Sequence, residues 1–223
     1  MKDRLHNALM ALRIHSGWII WNLFLAFIPL ALSVWLFRSP RRSRSVLWWI
    51  AFLVFIAFLP NAPYLLTDII HLIRAIRSDY SVWIITLVIL PPHLIAIIAG
   101  LEAYVISVIN LGYYLHRQGV SKYIVWAELM THALCAIGVY LGRFKRFNSW
   151  DFVTQPNDVV RSVFDDLTSK RPVLVIFVTF IILTVLYWLM KQITLALLLK
   201  INLKHGATST HNSEQDTDTP TTL

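Results

Sequence analysis

The sequence predicts an all-α integral membrane protein: a helix bundle of about five transmembrane spans plus one amphipathic helix at the membrane surface. Of its 223 residues, 57% are hydrophobic and only 14% are charged, with a mean hydropathy of +0.62. Soluble domains have about a quarter of their residues charged. The apolar residues also come in blocks of about 20, the length that crosses the hydrocarbon core of a bilayer.

The positive charge of the chain lies mainly between these blocks. The formal net charge is +8 and the pI is about 9.8, which in a soluble protein would suggest nucleic-acid binding. Lys and Arg flanking apolar blocks are typical of topology determinants and of contacts to anionic lipid. We therefore expect membrane lipids as partners and no nucleic acid. The single cysteine, Cys135, excludes a disulfide framework.

The first predicted span, residues 18–37, contains no charged residue. Twelve of its residues are Leu, Ile, Phe or Val, which favours insertion by about 4–7 kcal/mol in total. It is longer than the apolar part of a signal peptide and lacks a small-residue cleavage site, so we expect it to be retained. The other spans are predicted at residues 46–59, 81–109, 123–141 and 173–190.

The remaining segments complete one transmembrane domain over residues 18–204. A polar, basic arm precedes it at residues 1–17, and an interfacial helix is predicted at about 158–168, with Val159, Val160, Val163, Phe164 and Leu167 on one face. The polar tail at 205–223 holds too few apolar groups to offset its ordering entropy, so we expect it to be disordered.

The number of spans depends on residues 81–116. This stretch can form one long span kinked at Pro91-Pro92, or two short spans that turn near Gly100, which would make six in all. One span is favoured because the second short leg would carry Glu102 and Asn110 through lipid. Orientation stays open, because eleven of the 20 Lys and Arg residues fall on the amino-terminal side and nine on the other.

The segment FLPNAPYLLTDIIHLIR, residues 58–74, interrupts an apolar run with two prolines and several polar side chains. Proline removes a backbone donor, so a helix must stop or bend there, and in hydrocarbon the freed carbonyls need other partners. Such a break followed by an acid and an imidazole indicates a site. Its candidate ligand-binding residues are Asn61, Thr67, Asp68 and His71.

The sequence allows two interpretations of the roles of Asp68 and His71. The two lie three residues apart, on one helix face, and can act as a carboxylate-oriented acid–base pair, which makes them the candidate catalytic residues. Alternatively they form a local pair at the start of a helix. Two ligands are too few for a catalytic metal, which takes three protein ligands, so we expect no metal and no cofactor.

Other polar residues lie inside the predicted spans. Glu128 and His132 are four apart on one face of the fourth span, and either form a functional site or hold the bundle together through an internal hydrogen bond. His93 and Glu102 are weaker candidates, because a kink or a helix end can place each of them towards water.

The segment GVYLGRFKRFNSWD after the fourth span holds the densest polar group: Arg143, Arg146, Asn148, Trp150 and Asp151. Planar guanidinium groups suit a phosphate or carboxylate, so an anionic lipid head or a phosphorylated polyprenyl carrier is the expected ligand. The structural alternative is a positive loop that flanks a span. With five spans, this loop and Asp68–His71 lie on the same side of the membrane and can form one pocket.

The stretches NLFLAFIPL, FLPNAPYLLTDIIHL and GVYLGRFKRFNSWD resemble a family of small bacterial multi-pass membrane proteins, catalogued as domain of unknown function 1361. The resemblance covers roughly residues 18–190. It implies a multi-pass protein of the bacterial inner (plasma) membrane, and it implies no activity.

Three functions follow as hypotheses. The favoured one is a non-enzymatic membrane protein whose polar interfacial pocket binds or passes an anionic, lipid-linked ligand. The second is an intramembrane enzyme that acts on a lipid or prenyl phosphate, and the third is an accessory subunit of a membrane complex. Nucleotide-binding glycine motifs and the common hydrolase motifs are not found in the sequence, which disfavours an ATP-driven pump or a common hydrolase.

Overall fold

The computed structural model describes residues 2–39, 44–77, 80–147, 149–168 and 170–215, which form helices joined by short turns. The α-helices of this part of the chain are α1 (Lys2–Ser33), α2 (Val46–Phe58), α3 (Asn61–Tyr64), α4 (Ile69–Ile76), α5 (Val82–Ile84), α6 (Leu90–Arg117), α7 (Ile124–Tyr140), α8 (Asp151–Thr154), α9 (Pro156–Leu167) and α10 (Lys170–Gln215). Turns of π-helix at Val34–Arg38, Ile85–Ile89 and Leu141–Lys145, and of 3-10 helix at Leu65–Asp68 and Ser121–Tyr123, join several of them into longer rods.

Five rods in the described ranges are long and apolar enough to cross a membrane. They are the first to fifth spans, Gly17–Arg38, Val46–Ile76, Val82–Arg117, Ser121–Lys145 and Lys170–Ile201. The predicted all-α membrane bundle of five spans is therefore confirmed, and the chain is a multi-pass membrane protein. We call the end of the bundle at which the first span begins the proximal end, and the opposite end the distal end.

The third span is one continuous rod of 36 residues. Pro91 and Pro92 lie in the first turn of α6, where a missing backbone donor costs little, directly after the π-helical turn Ile85–Ile89. Gly100 lies in the middle of α6. The six-span alternative does not hold, because no chain reversal occurs at this glycine.

Helix α6 lies at the centre of the bundle and packs against α1, α3, α7 and α10. Its Tyr104, Val105 and Val108 are fully buried, and the rings of Phe37 and Phe55 meet beside them edge to face, 5.2 Å apart. Many other large apolar side chains point outwards. Exposed apolar residues on all sides of a bundle are what a protein surrounded by lipid requires, since every span faces hydrocarbon somewhere.

A buried amide joins the first and third spans near the distal end. The Asn110 side chain donates to Ser33 Oγ at 2.9 Å and accepts from Arg38 Nε at 2.7 Å. The Arg38 guanidinium also lies 4.4 Å from the centre of the Tyr113 ring. A polar atom that is hydrogen-bonded in this way costs less free energy to bury. The cluster therefore holds the distal ends of these two spans together.

The predicted surface helix forms at Pro156–Leu167, close to its expected bounds. Val159 is 1% exposed and packs against Tyr140 and Leu141, while Lys145 pairs with Asp166 at 3.1 Å. Val160, on the same predicted apolar face, is 53% exposed and does not pack against the bundle. An apolar side chain in this position is available to the membrane surface, which is where the sequence predicts this face to lie.

Helix α10 extends to Gln215, past residue 205, where we expect a disordered tail to begin. Extending an existing helix requires no new nucleation, so each added residue gains one hydrogen bond without the initial ordering cost. Residues 216–223 of the expected tail lie outside the described residues. The expected amino-terminal arm at 2–16 is likewise continuous with the first span as part of α1.

Candidate functional site

The proline-rich segment of the second span remains helical with a changed hydrogen-bond pattern. The Ala62 amide bonds to Leu59 O at 3.2 Å, so Phe58 O loses its usual helical donor. The Asn61 side chain replaces that donor at 2.9 Å and also donates to Ser149 Oγ at 2.7 Å. Asn61 therefore repairs the break and attaches the second span to the loop that follows the fourth.

Two glycines allow neighbouring spans to approach this segment closely. A Cβ at Gly138 in α7 would lie 2.6 Å from the Pro60 side chain, and a Cβ at Gly100 in α6 would lie 2.9 Å from Ala62 O. Small residues at such crossings let membrane helices pack backbone against side chain. The broken segment is thus wedged between the third and fourth spans.

A cavity of about 580 Å³ opens beside this wedge at the proximal end. Its walls come from the first, second and fourth spans and from the turn after the fourth. The lining residues are Trp21, Asn22, Leu25, Ala57, Pro60, Asn61, Tyr64, Ile70, His71, Arg74, Gly138, Leu141, Gly142, Arg143, Phe144, Arg146, Phe147, Ser149 and Trp150. Its volume lies within the range of about 300–1,000 Å³ that is typical of small-molecule sites.

The described lining carries three positive charges and no carboxylate. Arg74 follows His71 by one helical turn, and Arg143 and Arg146 come from the end of the fourth span. Arg146 has a φ of 60°, the left-handed region that non-glycine residues rarely adopt. This conformation ends the π-helical turn Leu141–Lys145, and Arg146 itself lines the cavity.

Asp68 lies directly behind the cavity wall. Its side chain is 2% exposed, and its Oδ2 accepts a hydrogen bond of 3.2 Å from Asn22 Nδ2. Its Oδ1 is buried and has no hydrogen-bond partner among the described residues. The charge of Arg143 acts on this carboxylate. Asp68 is thus linked to two cavity residues, Asn22 and Arg143, without lining the cavity itself.

His71 lines the cavity, and its ring packs against Trp18 with the ring centres 4.6 Å apart. Trp18 also meets His93 of α6 in an edge-to-face arrangement, with the ring centres 5.4 Å apart. His93 Nδ1 pairs with Ile89 O at 2.7 Å. Trp18 therefore contacts both the cavity histidine and the buried histidine of the third span.

The other predicted residues of this site divide into two groups. Trp150 lines the cavity, whereas Thr67 donates to Tyr64 O at 2.7 Å and stabilises its own helix. Asp151 begins α8 and accepts from Thr154 Oγ1 at 3.5 Å, outside the cavity lining. Asn148 lies outside the described residues.

Comparison with known protein families identifies the family to which the chain belongs. A family model described as "Protein of unknown function (DUF1361)" matches residues 21–185, a range that includes every segment lining the cavity. The chain belongs to this family. The match confirms the resemblance found from the sequence, and no curated protein and no solved structure matches the chain.

Several cavity residues of this DUF1361 protein were not predicted from its sequence. Arg74 could have been found, because it lies three residues after His71 on the same helix face. Asn22 is the sole amide in an otherwise apolar run, which is itself an indication of a buried partner. Trp21 and Tyr64 carry no such pattern, because aromatic residues near span ends occur in most membrane proteins.

Glu128 and His132 belong to a second polar cluster, towards the distal half of the bundle and outside the cavity lining. Glu128 accepts from Lys191 Nζ at 2.6 Å and from Tyr187 Oη at 2.7 Å. His132 Nδ1 bonds to the Tyr104 hydroxyl. These contacts join the fourth span to the third and the fifth.

Glu102, the remaining acid of the third span, accepts from Thr194 Oγ1 of α10 at 2.7 Å. Within the described ranges, no group of three or more His, Cys, Asp or Glu side chains is arranged to hold a metal ion. Glu102 and Glu128 each form hydrogen bonds between helices.

Proposed function

We propose that this protein binds an anionic amphiphile in the proximal cavity, with the charged head held by arginines and the hydrocarbon chain directed into the bundle. The observation that carries the proposal is the composition of the described lining, which has three arginines and no Asp or Glu. Guanidinium groups bind phosphate, sulfonate or carboxylate through charge-assisted hydrogen bonds.

The two ends of the cavity differ in polarity, and this difference supports an amphiphile over a small inorganic anion. Arg74, Arg143 and Arg146 lie towards the ends of their spans, whereas Leu25, Ala57 and Gly138 lie deeper in the bundle. Trp21 and Trp150 line the cavity and are each about half exposed at the protein surface. Such rings suit the level of lipid headgroups.

We also propose that the protein resides in the inner (plasma) membrane of a bacterium. This location is what the sequence resemblance implies. The proposal is supported by the three sequence stretches that carry the resemblance. Most of the cavity wall comes from two of them, FLPNAPYLLTDIIHL and GVYLGRFKRFNSWD.

A second candidate function is hydrolysis or transfer at a lipid or prenyl phosphate. The observation that favours it is the position of His71, which lines the same cavity as the three arginines. An imidazole beside a held phosphate can act as a general acid or base. H71Q separates the two functions, because Gln keeps hydrogen bonding but cannot transfer protons at neutral pH. Turnover lost with binding retained would favour the enzyme.

The binding proposal is tested on the detergent-purified full chain with dodecyl phosphate, dodecyl sulfonate and, as a neutral-head control, dodecyl maltoside. Tryptophan fluorescence reports binding, since Trp21 and Trp150 line the cavity. We expect the two anionic probes to compete for one site. R143Q and R146Q should each weaken binding roughly tenfold or more, the value of one charge-assisted hydrogen bond.

R77Q is the matched control, because Arg77 is exposed one helical turn from Arg74 and does not line the cavity. Equal weakening by R77Q and R143Q would mean that the probes respond to surface charge alone, and would contradict the proposal. Mass spectrometry of lipids retained by the purified wild-type protein identifies the natural head group. Purified R143Q should retain less of the anionic lipid than the purified wild-type protein does.

A further inference from the structure

We propose that anion binding in the proximal cavity is coupled to the uptake of a proton by Asp68. The inference rests on the proposed function and deepens it, because it turns a binding pocket into a site whose occupancy depends on pH. A protein that binds an anion together with a proton handles a neutral combination, which reduces the electrostatic cost of holding that anion within a membrane.

The first step of the argument is the environment of the Asp68 carboxylate. Only one of its oxygens, Oδ2, has a hydrogen-bond donor among the described residues, and that donor is the neutral amide of Asn22. Oδ1 is buried without one. An ionised carboxylate in this position depends on a nearby positive charge, because burial without compensation costs several kcal/mol.

The second step is that the positive charge is shared with the cavity. Arg143 acts on Asp68 and also lines the cavity, where it would hold the anionic head. An anion that occupies the cavity adds a negative charge beside the same guanidinium. Asp68 then loses part of its compensation and gains a negative neighbour, and the neutral, protonated carboxyl becomes the more stable form.

The sign of the coupling follows from linkage. If the anion favours protonated Asp68, then protonated Asp68 favours the anion by the same factor. Affinity for an anion should therefore rise as the pH falls through the range in which Asp68 takes up its proton, by at most about tenfold per pH unit for one coupled proton. Asn22, which donates to Asp68 and lines the cavity, connects the two sites directly.

Other titratable or charged groups near Asp68 are His71 on its own span, His93 on the third span and Arg143 on the fourth. Arginine stays charged at all relevant pH values. A histidine that becomes protonated as the pH falls would also attract an anion, so His71, which lines the cavity, is the main competing source of pH dependence. His93 contacts Trp18 and is the second histidine to be tested.

The experiment measures binding of dodecyl sulfonate to the full chain in detergent between about pH 5 and pH 8, a range in which the sulfonate itself does not titrate. We expect the wild-type affinity to rise by tenfold or more towards acid. D68N should bind with little pH dependence and at the acid-limit affinity of the wild type. H71Q and H93Q should each retain the pH dependence, whatever their absolute affinity.

A second measurement uses the wild-type chain and H71Q, so it does not depend on the folding of D68N and leaves out the competing histidine. Calorimetric titrations in buffers of different ionisation enthalpy give the number of protons taken up for each sulfonate bound, and we expect a value approaching one at the alkaline side of the transition. Zero uptake, or pH dependence that persists in D68N or disappears in H71Q, would overturn the coupling while leaving anion binding intact. Failure of dodecyl sulfonate to bind at any pH would instead overturn the proposed function.

Discussion

Gly138 of the fourth span lies directly against the ring of Pro60 in the second, so closely that a Cβ on the glycine would approach the proline side chain to 2.6 Å. Both residues line the proximal cavity. The break in the second span and the glycine in the fourth are thus complementary in shape. Their contact sets the distance between the arginine-bearing turn and the segment that holds Asp68 and His71.

The first prediction is that G138A destabilises the protein. The added methyl cannot be accommodated unless Pro60 or the α7 backbone moves, and overpacking of this kind costs about 1–3 kcal/mol. Thermal unfolding in detergent should show a lower midpoint for G138A. G17A is the matched control, because a Cβ at Gly17 meets nothing within 4 Å. Equal midpoints for the two variants would contradict the close contact.

The second prediction concerns Asp68 and Arg143. Removal of the Arg143 charge should destabilise the protein, because the buried Asp68 carboxylate is left without its counter-charge. D68N on its own should cost little, because it removes a carboxylate whose burial is only partly compensated. The double variant D68N/R143Q should lose less than the sum of the single variants, with a coupling of roughly 0.5–3 kcal/mol. The control is the double-mutant cycle of D68N with R77Q, in which the changes in the free energy of unfolding should add. Strict additivity for Arg143 would mean that it does not compensate Asp68.

The third prediction concerns the ion pair between Glu128 and Lys191, which joins the fourth and fifth spans at 2.6 Å. Among the described residues, K191M leaves the carboxylate with the Tyr187 hydroxyl as its remaining donor. Breaking a largely buried pair costs up to about 5 kcal/mol. Unfolding in detergent should show a clear loss for K191M and a smaller one for E128Q/K191M. K200M, at an exposed position of the same helix, should change the midpoint little.

The fourth prediction distinguishes two contacts of the surface helix α9. The Lys145–Asp166 pair is partly exposed, and exposed pairs contribute only about 0–1 kcal/mol. Val159 is fully buried against Tyr140 and Leu141, so V159A removes apolar contact and leaves a cavity, at a cost of about 1–3 kcal/mol. Protection of α9 from protease should fall more in V159A than in K145Q. The reverse order would show that charge attaches this helix.

The fifth prediction is topological. In a bundle of five alternating spans, Arg77 after the second span and Thr168 before the fifth lie on the same side of the membrane, and Lys122 lies on the other. Single cysteines at these three exposed positions, in a C135A background, are labelled in sealed vesicles with an impermeant maleimide. R77C and T168C should react from one side and K122C from the other. Opposite reactivity of R77C and T168C would contradict five spans.

The number of spans could be predicted from the sequence because apolar length is a local property that bilayer thickness converts directly into a count. The proline break and the arginine-rich turn were also local patterns, and alternation of five spans brings them to one end. Which residues meet across spans is not a local property. Pro60 against Gly138 and Asn22 against Asp68 depend on helix rotation and tilt, which are set by packing between helices.

The surface helix shows the same limit. Val159 and Val160 both fit an apolar face, and which of them packs against the bundle, here Val159, depends on the rotation of the helix.

Lys191 bears on how the protein is made. A lysine inside a membrane span raises the cost of inserting that span, by up to roughly 2.5–3.5 kcal/mol if it reaches the bilayer centre, and its partner Glu128 is supplied by the span synthesised just before. A fourth span that is still beside the translocation channel when the fifth emerges would supply the counter-charge and lower this cost. We expect the biosynthetic machinery to release these two helices into the lipid together, as a pair.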